Sequence, residues 1–328
     1  MAVNPVRTIT KSTNKSIHET REFFSSSQQA VRRSNGVNLS IIIPSRNEVF
    51  LTHTIRDLLA HAVGSIEIIV NIDENWPDEI IKDKRVIYLH PGTPKGMRYG
   101  INSCAAIAKG IYLMKTDGHC MFAPGFDKVL AENCDDNWVV IPRRKRLDPE
   151  NWKIMDVGKP DIDYHYLCFP ERGKEHDWGM HGVMWPQRAL ERIDPKYDID
   201  DTMSFQGSSW FMKRKWFTDF IGYLDDDFYG SFAQEPQEIG LKTWLGGGSV
   251  KVNKKTWYAH LHKGPKYGKM YRLTMNDEKV IIDKHNRSAK HWMEGEEPNM
   301  IHPIAWLVEK FWPVPTWPED RSLWVSPI

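Results

Sequence analysis

The chain has 328 residues, with 44 Lys and Arg against 43 Asp and Glu, for a net charge of +1. Hydrophobic residues make up 41% and charged residues 27%, which excludes a disordered or collagen-like chain and fits a folded globular one. The even charge balance removes bulk electrostatics as a basis for polyanion binding and leaves only local patches. The length suits one large domain with extensions or two modest ones.

No apolar run approaches the ~20 residues of a bilayer span, and MAVNPVRTITKSTNKS lacks the apolar core of a secretory signal. The expectation is a protein with no membrane partner, located in the cytoplasm. Cys104, Cys120, Cys134 and Cys168 form no C-x-x-C pair, which argues against a zinc ribbon or redox motif and fits a reducing compartment. The 14 tryptophans crowd toward the C-terminal half, where core or clamp packing is the simplest use of their large flat faces.

In chain order, residues 1–37 are rich in Ser, Thr, Asn, Gln and Arg without apolar periodicity, and are expected to form a mobile arm. NLSIIIPSRNE opens the fold. Ile41, Ile42 and Ile43 make a continuous apolar run that suits a strand buried on both faces, with Pro44 expected to end it. A helix to about Ala60 places Ile55, Leu58 and Leu59 on one face. SIEIIVNID reads as a second strand ending at Asp73, and RVIYLH as a third. Met97, Ile101, Cys104, Ala105 and Ala108 recur at helical spacing. GIYLMKTD reads as a fourth strand.

Alternating strands and helices predict an α/β fold: a Rossmann-like, mostly parallel sheet flanked by helices. After Trp138 the pattern loosens. PRRKRL, residues 142–147, reads as a solvated basic loop, and residues 150–205 as irregular loops with a short hairpin. SSWFMKRKWF reads as a strand leading into a helix. EPQEIGLKTWL reads as a helix with Pro236 in its first turn and Gly246–Gly248 ending it. SVKVN is a further strand, and FWPVPTWPED an extended wrap. The expected division is an arm at 1–37, a main domain at 38–270 and a C-terminal extension at 271–328 packed on it. No internal repeat, G-x-x-x-x-G-K-[ST] or G-x-G-x-x-G occurs.

In parallel sheets, ligands gather at the carboxyl ends of strands. Ser45 to Glu48, Asp73 and Asp117 all lie at such ends. The stretch DGHC is the most specific feature. Asp-Gly alone is a common turn. Asp117 and His119, however, stand two residues apart on an extended backbone and point to one side. A carboxylate and an imidazole suit Mn²⁺, with Mg²⁺ as the second candidate. A diphosphate would supply missing oxygens, and WYAHLHKG offers His260 or His262 as a third ligand.

These stretches together resemble nucleotide-sugar glycosyltransferases of the GT-A fold, family-two type, and within them the catalytic domain of the polypeptide N-acetylgalactosaminyltransferases. IIIPSRNE resembles the family's first strand and nucleotide-binding turn. KGMRYGINSCAAIAKGIYLMKTDGHC resembles its helix, strand and Asp-x-His metal motif. FAQEPQEIGLKTWLGGGSVKV resembles its Trp-Gly-Gly-Glu-Asn-x-Glu helix, and TWYAHLHKG the segment bringing the third ligand. The resemblance covers roughly residues 38–270 and implies a GT-A domain with irregular acceptor-side loops.

The resemblance implies Asp117, His119 and His260 as ligands of Mn²⁺ or Mg²⁺. It implies that Pro44, Arg46, Glu48, Asp73, Arg98, Asp117 and Gly118 meet the nucleotide sugar, and that Glu235 and Glu238 are catalytic acids near the sugar. HKGPKYGKMYR would be a lid in which Lys263, Lys266 and Tyr267 act, hinged at Gly264 and Gly268. Pro236 stands where inverting relatives carry an Asp base, so the resemblance implies either Glu235 or Glu238 as the base or a reaction that retains configuration without one. The N-acetylgalactosamine enzymes are retaining, and retention is the expectation. The implied donor is a UDP-sugar and the implied acceptor a hydroxyl on a glycan, a protein or hydroxymethylated pyrimidines of viral DNA. Neither the membrane anchor nor the lectin domain of the animal enzymes is legible, so sugar and acceptor stay open, as does the oligomeric state. A nucleotidyltransferase would need a Gly-rich loop after the first strand, which IIIPSRNE lacks. An inactive sugar-binding module is disfavoured by the intact Asp117, His119 and His260.

Overall fold

The computed structural model describes residues 36–170, 180–268 and 275–325; all but the last two residues of the expected N-terminal arm lie outside them. Strand β1 (Leu39–Ser45) leads through helix α1 (Leu51–His61) to β2 (Ile66–Ile72) and β3 (Val86–Leu89). Helix α2 (Met97–Ile107) then returns the chain to β4 (Tyr112–Thr116). β1 pairs in parallel with β2 and β4, and β2 with β3.

Successive side chains of β1 leave opposite faces of the sheet, and both faces are covered. Leu39, Ile41 and Ile43 share one apolar cluster with Ile55 and Leu58 of α1. Ile42 joins Ile101, Cys104 and Ala105 of α2 in the other. A strand with no wet face has no reason to alternate, hence its unbroken run of isoleucines. Pro44 does not end β1, which runs one residue further.

The short β5 (Cys120–Phe122) and helix α3 (Phe126–Glu132) precede β6 (Trp138–Asp148), a long strand paired with the two-residue β7 (Lys153–Ile154). PRRKRL is therefore not a loop. It is the second half of β6, and its charges are answered from across space: Arg143 by Asp163 at 2.7 Å and Lys145 by Asp161 at 2.9 Å. β8 (His165–Leu167) and β9 (Gly182–Met184) form the short antiparallel pair, followed by α4 (Pro186–Glu191) and β10 (Ile199–Asp201). β11 (Ser209–Lys213) runs into a π-helical turn at Trp216–Ile221.

Helices α5 (Asp226–Tyr229) and α6 (Glu235–Leu245) lead to β12 (Ser249–His260), far longer than the SVKVN read from sequence. The main sheet order is β10-β12-β6-β11-β4-β1-β2-β3. β3, β2, β1, β4, β6 and β12 point one way, and β11 and β10 the other. The chain ends with α7 (Met275–Glu294) and α8 (Ile304–Phe311). Trp292, Trp317 and Trp324 are buried in the cluster that holds Trp244 of α6, so the C-terminal segment completes the core rather than trailing from it.

Candidate functional site

The parallel register sets Ser45 against Ile72, so the turns after β1, β2 and β4 open on one edge of the sheet. A cavity of about 600 Å³ lies there, lined among others by Arg46, Asp73, Asp117, His119, His260 and Lys263. Pro44, Glu48 and Gly118 also line it. Its outer wall comes from Tyr229–Ala233 and from Val280, Ile281 and Lys284 of α7.

β4 ends one residue before Asp117, whose backbone N–H donates to Ser208 O at 2.9 Å. The Asp-Gly-His turn then enters β5, which pairs antiparallel with the end of β12, Cys120 against His260. That register carries His260 across 143 residues to Asp117. His260 Nε2 lies 3.0 Å from His119 Nε2 and 3.3 Å from Asp117 Oδ2; His119 Nε2 is 3.9 Å from the same oxygen. Among the described residues, these three form a group able to hold a metal ion. His262 is not part of it.

One carboxylate oxygen and two imidazole nitrogens suit Mn²⁺ and accept Mg²⁺ less readily. The supports around the trio fit that use. His119 Nδ1 is 3.0 Å from Glu48 Oε2, the outer hydrogen bond that orients a ligating imidazole. Burial disfavours charge on Asp117, but Lys115, His260 and His119 outweigh it and hold the carboxyl below its ordinary range. Burial drives His260 down to about 3 despite its contact with Asp117, so the ring is neutral at pH 7. Burial also opposes ionisation of Glu48, yet His119 and Lys263 keep it low.

On the far side of the cavity, both oxygens of Asp73 are engaged. Oδ1 accepts from Lys95 N–H at 2.6 Å, and Oδ2 from Gly96 N–H at 2.9 Å and from Arg46 Nη2 at 2.5 Å. Gly96 stands at φ +97°, where a Cβ would lie 2.5 Å from that of Ser231. Only glycine lets the start of α2 approach the 229–233 wall this closely.

Five expected site residues do not line the cavity. Arg98 and Glu238 bond to each other and are fully buried. Glu235 is 2% exposed, with Trp210 Nε1 at 2.6 Å and Lys115 Nζ at 3.5 Å. Burial raises Glu235 above the ordinary carboxylate range. An acid at the start of α6 reads from sequence as facing solvent or substrate; here Trp210 of β11, Lys115 and Gly207 lie against it. Of the expected lid, Lys263 donates to Glu48, while Lys266 and Tyr267 meet Glu150 outside the cavity. Lys269 and Arg272 fall outside the described residues.

Two residues at the centre were not singled out from sequence. Lys115, 1% exposed, donates to Asp117 Oδ1 at 2.7 Å and to Gly207 O. Arg144, 3% exposed, places Nη2 3.1 Å from both His260 Nδ1 and His262 Nε2. For Lys115 the available signal was a charged residue inside an otherwise apolar strand, since a buried charge requires a partner; Arg144 is hidden in the basic run of β6.

The cavity at the strand ends of a mixed sheet is the arrangement of a GT-A glycosyltransferase. The chain belongs to glycosyl transferase family 2, whose sequence profile matches residues 40–220. It is 24% identical over 241 residues to "Putative polypeptide N-acetylgalactosaminyltransferase 13" of Drosophila melanogaster, covering 66% of this chain and 40% of that protein. It is 23% identical over 288 residues to "Polypeptide N-acetylgalactosaminyltransferase 9" of Macaca fascicularis, covering 82% and 42%. The chain thus spans less than half the length of these relatives. The fold is similar to that of GalNAc-T7, crystallised with UDP, GalNAc and Mn²⁺, at a TM-score of 0.59 and 18% identity, covering 76% of this chain and 48% of that one.

Proposed function

We propose that the chain transfers a sugar from a nucleotide-diphosphate sugar, a UDP-sugar in the first instance, to an acceptor hydroxyl in a metal-dependent reaction that retains configuration. The observation that carries this reading is the convergence of Asp117, His119 and His260 in a cavity that Arg46 and Asp73 also line. The relatives are named as N-acetylgalactosaminyltransferases, and the structural neighbour was crystallised with UDP and Mn²⁺.

Asp117, His119 and His260 would hold Mn²⁺ or Mg²⁺, which supplies charge stabilisation for a departing diphosphate. Pro44, Arg46, Glu48, Asp73 and Gly118 border the space for the nucleotide, with Lys263 positioned to exchange Glu48 for a phosphate oxygen. The bond from the anomeric carbon to the phosphate oxygen breaks, and its electron pair leaves with the nucleoside diphosphate. The acceptor oxygen bonds to that carbon, and its proton passes to the departing phosphate oxygen. The carboxylates support the retaining reading. Among the described residues lining the cavity, Glu48, Asp73 and Asp117 each already have a cationic partner. Arg98 and Glu238 lie behind the wall and in this reading position it, while Glu235, buried against Trp210 and Lys115, does not act as a base.

The acceptor class is a hydroxyl compound: a glycan, a protein or a hydroxymethylated base in DNA. The basic run of β6 adds little to the last option, since Asp161 and Asp163 answer Lys145 and Arg143. A cytoplasmic setting belongs to the proposal, in keeping with four buried cysteines that form no disulfide. Among the described residues no helix is long and apolar enough to cross a membrane.

The test is donor hydrolysis. The purified chain, incubated with Mn²⁺ and a panel of nucleotide sugars, should consume one UDP-sugar, and Asp117→Ala should not. Failure of every nucleotide sugar to bind in the presence of Mn²⁺ would overturn the reading.

A further inference from the structure

The cavity is ringed by positive charge at each of its carboxylates. Arg46 sits on Asp73, Lys263 on Glu48 and Lys115 on Asp117, while Arg144 contacts the back of His260. Arg46 and Lys263 keep 28% and 26% of their side-chain surface exposed. Lys115 differs. Its side chain is 1% exposed, and Nζ meets Asp117 Oδ1, Gly207 O and Glu235 Oε2. An ammonium has three N–H donors; two go to Asp117 Oδ1 and Gly207 O, and Glu235 Oε2 stands 3.5 Å away as an ion-pair partner.

Asp117 is the one anionic member of the metal-binding trio. Lys115 occupies Oδ1 and leaves Oδ2 on the side of the histidines. The trio therefore offers one carboxylate oxygen, with a fixed positive charge on the other. A divalent cation entering alone meets repulsion from a group that cannot move or be replaced by water. A nucleoside diphosphate brings compensating negative charge and oxygen ligands.

We propose that Lys115 sets the order of filling: it makes the site weak for a free divalent cation and strong for the cation together with a nucleoside diphosphate. This rests on the glycosyltransferase reading above. It makes Lys115 a positioning residue, acting through Asp117 and touching no substrate itself. The same bonds tie Asp117 to the buried Glu235, so the two acids share one counter-charge.

The test measures Mn²⁺ binding by the loss of its free-ion paramagnetic resonance signal, with and without UDP, with uridine as the control lacking phosphates. Wild type should bind Mn²⁺ weakly alone, at least tenfold more tightly with UDP, and no better with uridine. In Lys115→Met/Glu235→Gln, which removes both buried charges together, Mn²⁺ alone should bind about tenfold more tightly and the gain from UDP should shrink to match. Loosened packing would weaken binding, the opposite sign. Lys115→Gln, which keeps an N–H for Gly207 O, should shift the same way and guards against a folding defect in the double variant. Unchanged or weaker Mn²⁺ binding in folded variants overturns the proposal while leaving the glycosyltransferase reading intact. Failure of wild type to bind UDP with Mn²⁺ removes both.

Discussion

Arg98 and Glu238 meet as an ion pair in which neither side chain exposes any surface. They stand 140 residues apart and join the start of α2 to the start of α6. Arg98 also donates to Ala233 O and lies over the Tyr229 ring at 4.7 Å, while Lys242 bonds Glu238 at 2.8 Å. The pair thus staples the 229–233 wall to the start of α2. Removing Arg98 leaves the buried Glu238 with Lys242 as its remaining cationic partner, at a cost of up to roughly 3–5 kcal/mol. Arg98→Met should lose stability on that scale in urea unfolding, and Arg98→Met/Glu238→Gln should recover a large share of it.

The two histidines of WYAHLHKG should separate cleanly. His260→Ala removes one member of the trio and should abolish measurable Mn²⁺ binding in the presence of UDP. His262→Ala removes only an exposed partner of Arg144 and should change that affinity less than threefold. Equal losses in both variants would contradict the assignment.

Glu48 touches His119 on one oxygen and Lys263 on the other. Loss of an outer hydrogen bond to a ligating histidine typically costs 10–100-fold in metal affinity. Glu48→Gln keeps the shape but weakens both contacts, and should lower Mn²⁺ affinity by about tenfold. Its thermal midpoint should move by only a few degrees, which separates the effect from unfolding.

Acid should destabilise the fold before carboxylates titrate. Burial, then Arg144 and His181, depress His165 to about 3, against about 6.5 for an unfolded histidine. The unfolded chain therefore binds a proton as pH falls through 6.5 while the native chain does not. Stability is full above pH 7 and declines below 6.5, by up to about 1.4 kcal/mol per pH unit for such a residue. Burial and His181 place His285 at about 4 with the same sign. Thermal midpoints between pH 7.5 and 5 should fall, and His165→Gln should flatten the slope.

The parts of the fold legible in sequence are those where neighbours in the chain decide the structure. Ile41–Ile43, the α2 periodicity and the Pro236-to-Gly248 helix frame follow from local pattern, as do the acids at strand ends. Strand β6 was not legible, because Arg143 and Lys145 find their carboxylates about twenty residues on, where no period points. Helix α7 is too polar for its apolar stripe to stand out, although Val280 and Ile281 line the cavity. Lys115 and Arg144 were missed for a related reason: a cation inside a strand reads as surface until its partners, Asp117 and Glu235 or His260 and His262, are brought in by pairing. The choice of His260 over His262 came from resemblance, and in three dimensions it rests on the register of β5 against β12.

That register gives the molecule an uneven tolerance for changes in length. β12 slips against β6 between Asn253 and Trp257, then runs in step to His260. Tyr258 points into one core cluster, and Ala259 and Leu261 into another. The last stretch of β12 is a ruler with divisions of one residue. An insertion between Thr256 and His260 would turn the imidazole to the opposite face and bring an alanine to its place. These five positions must keep their number for the trio to survive.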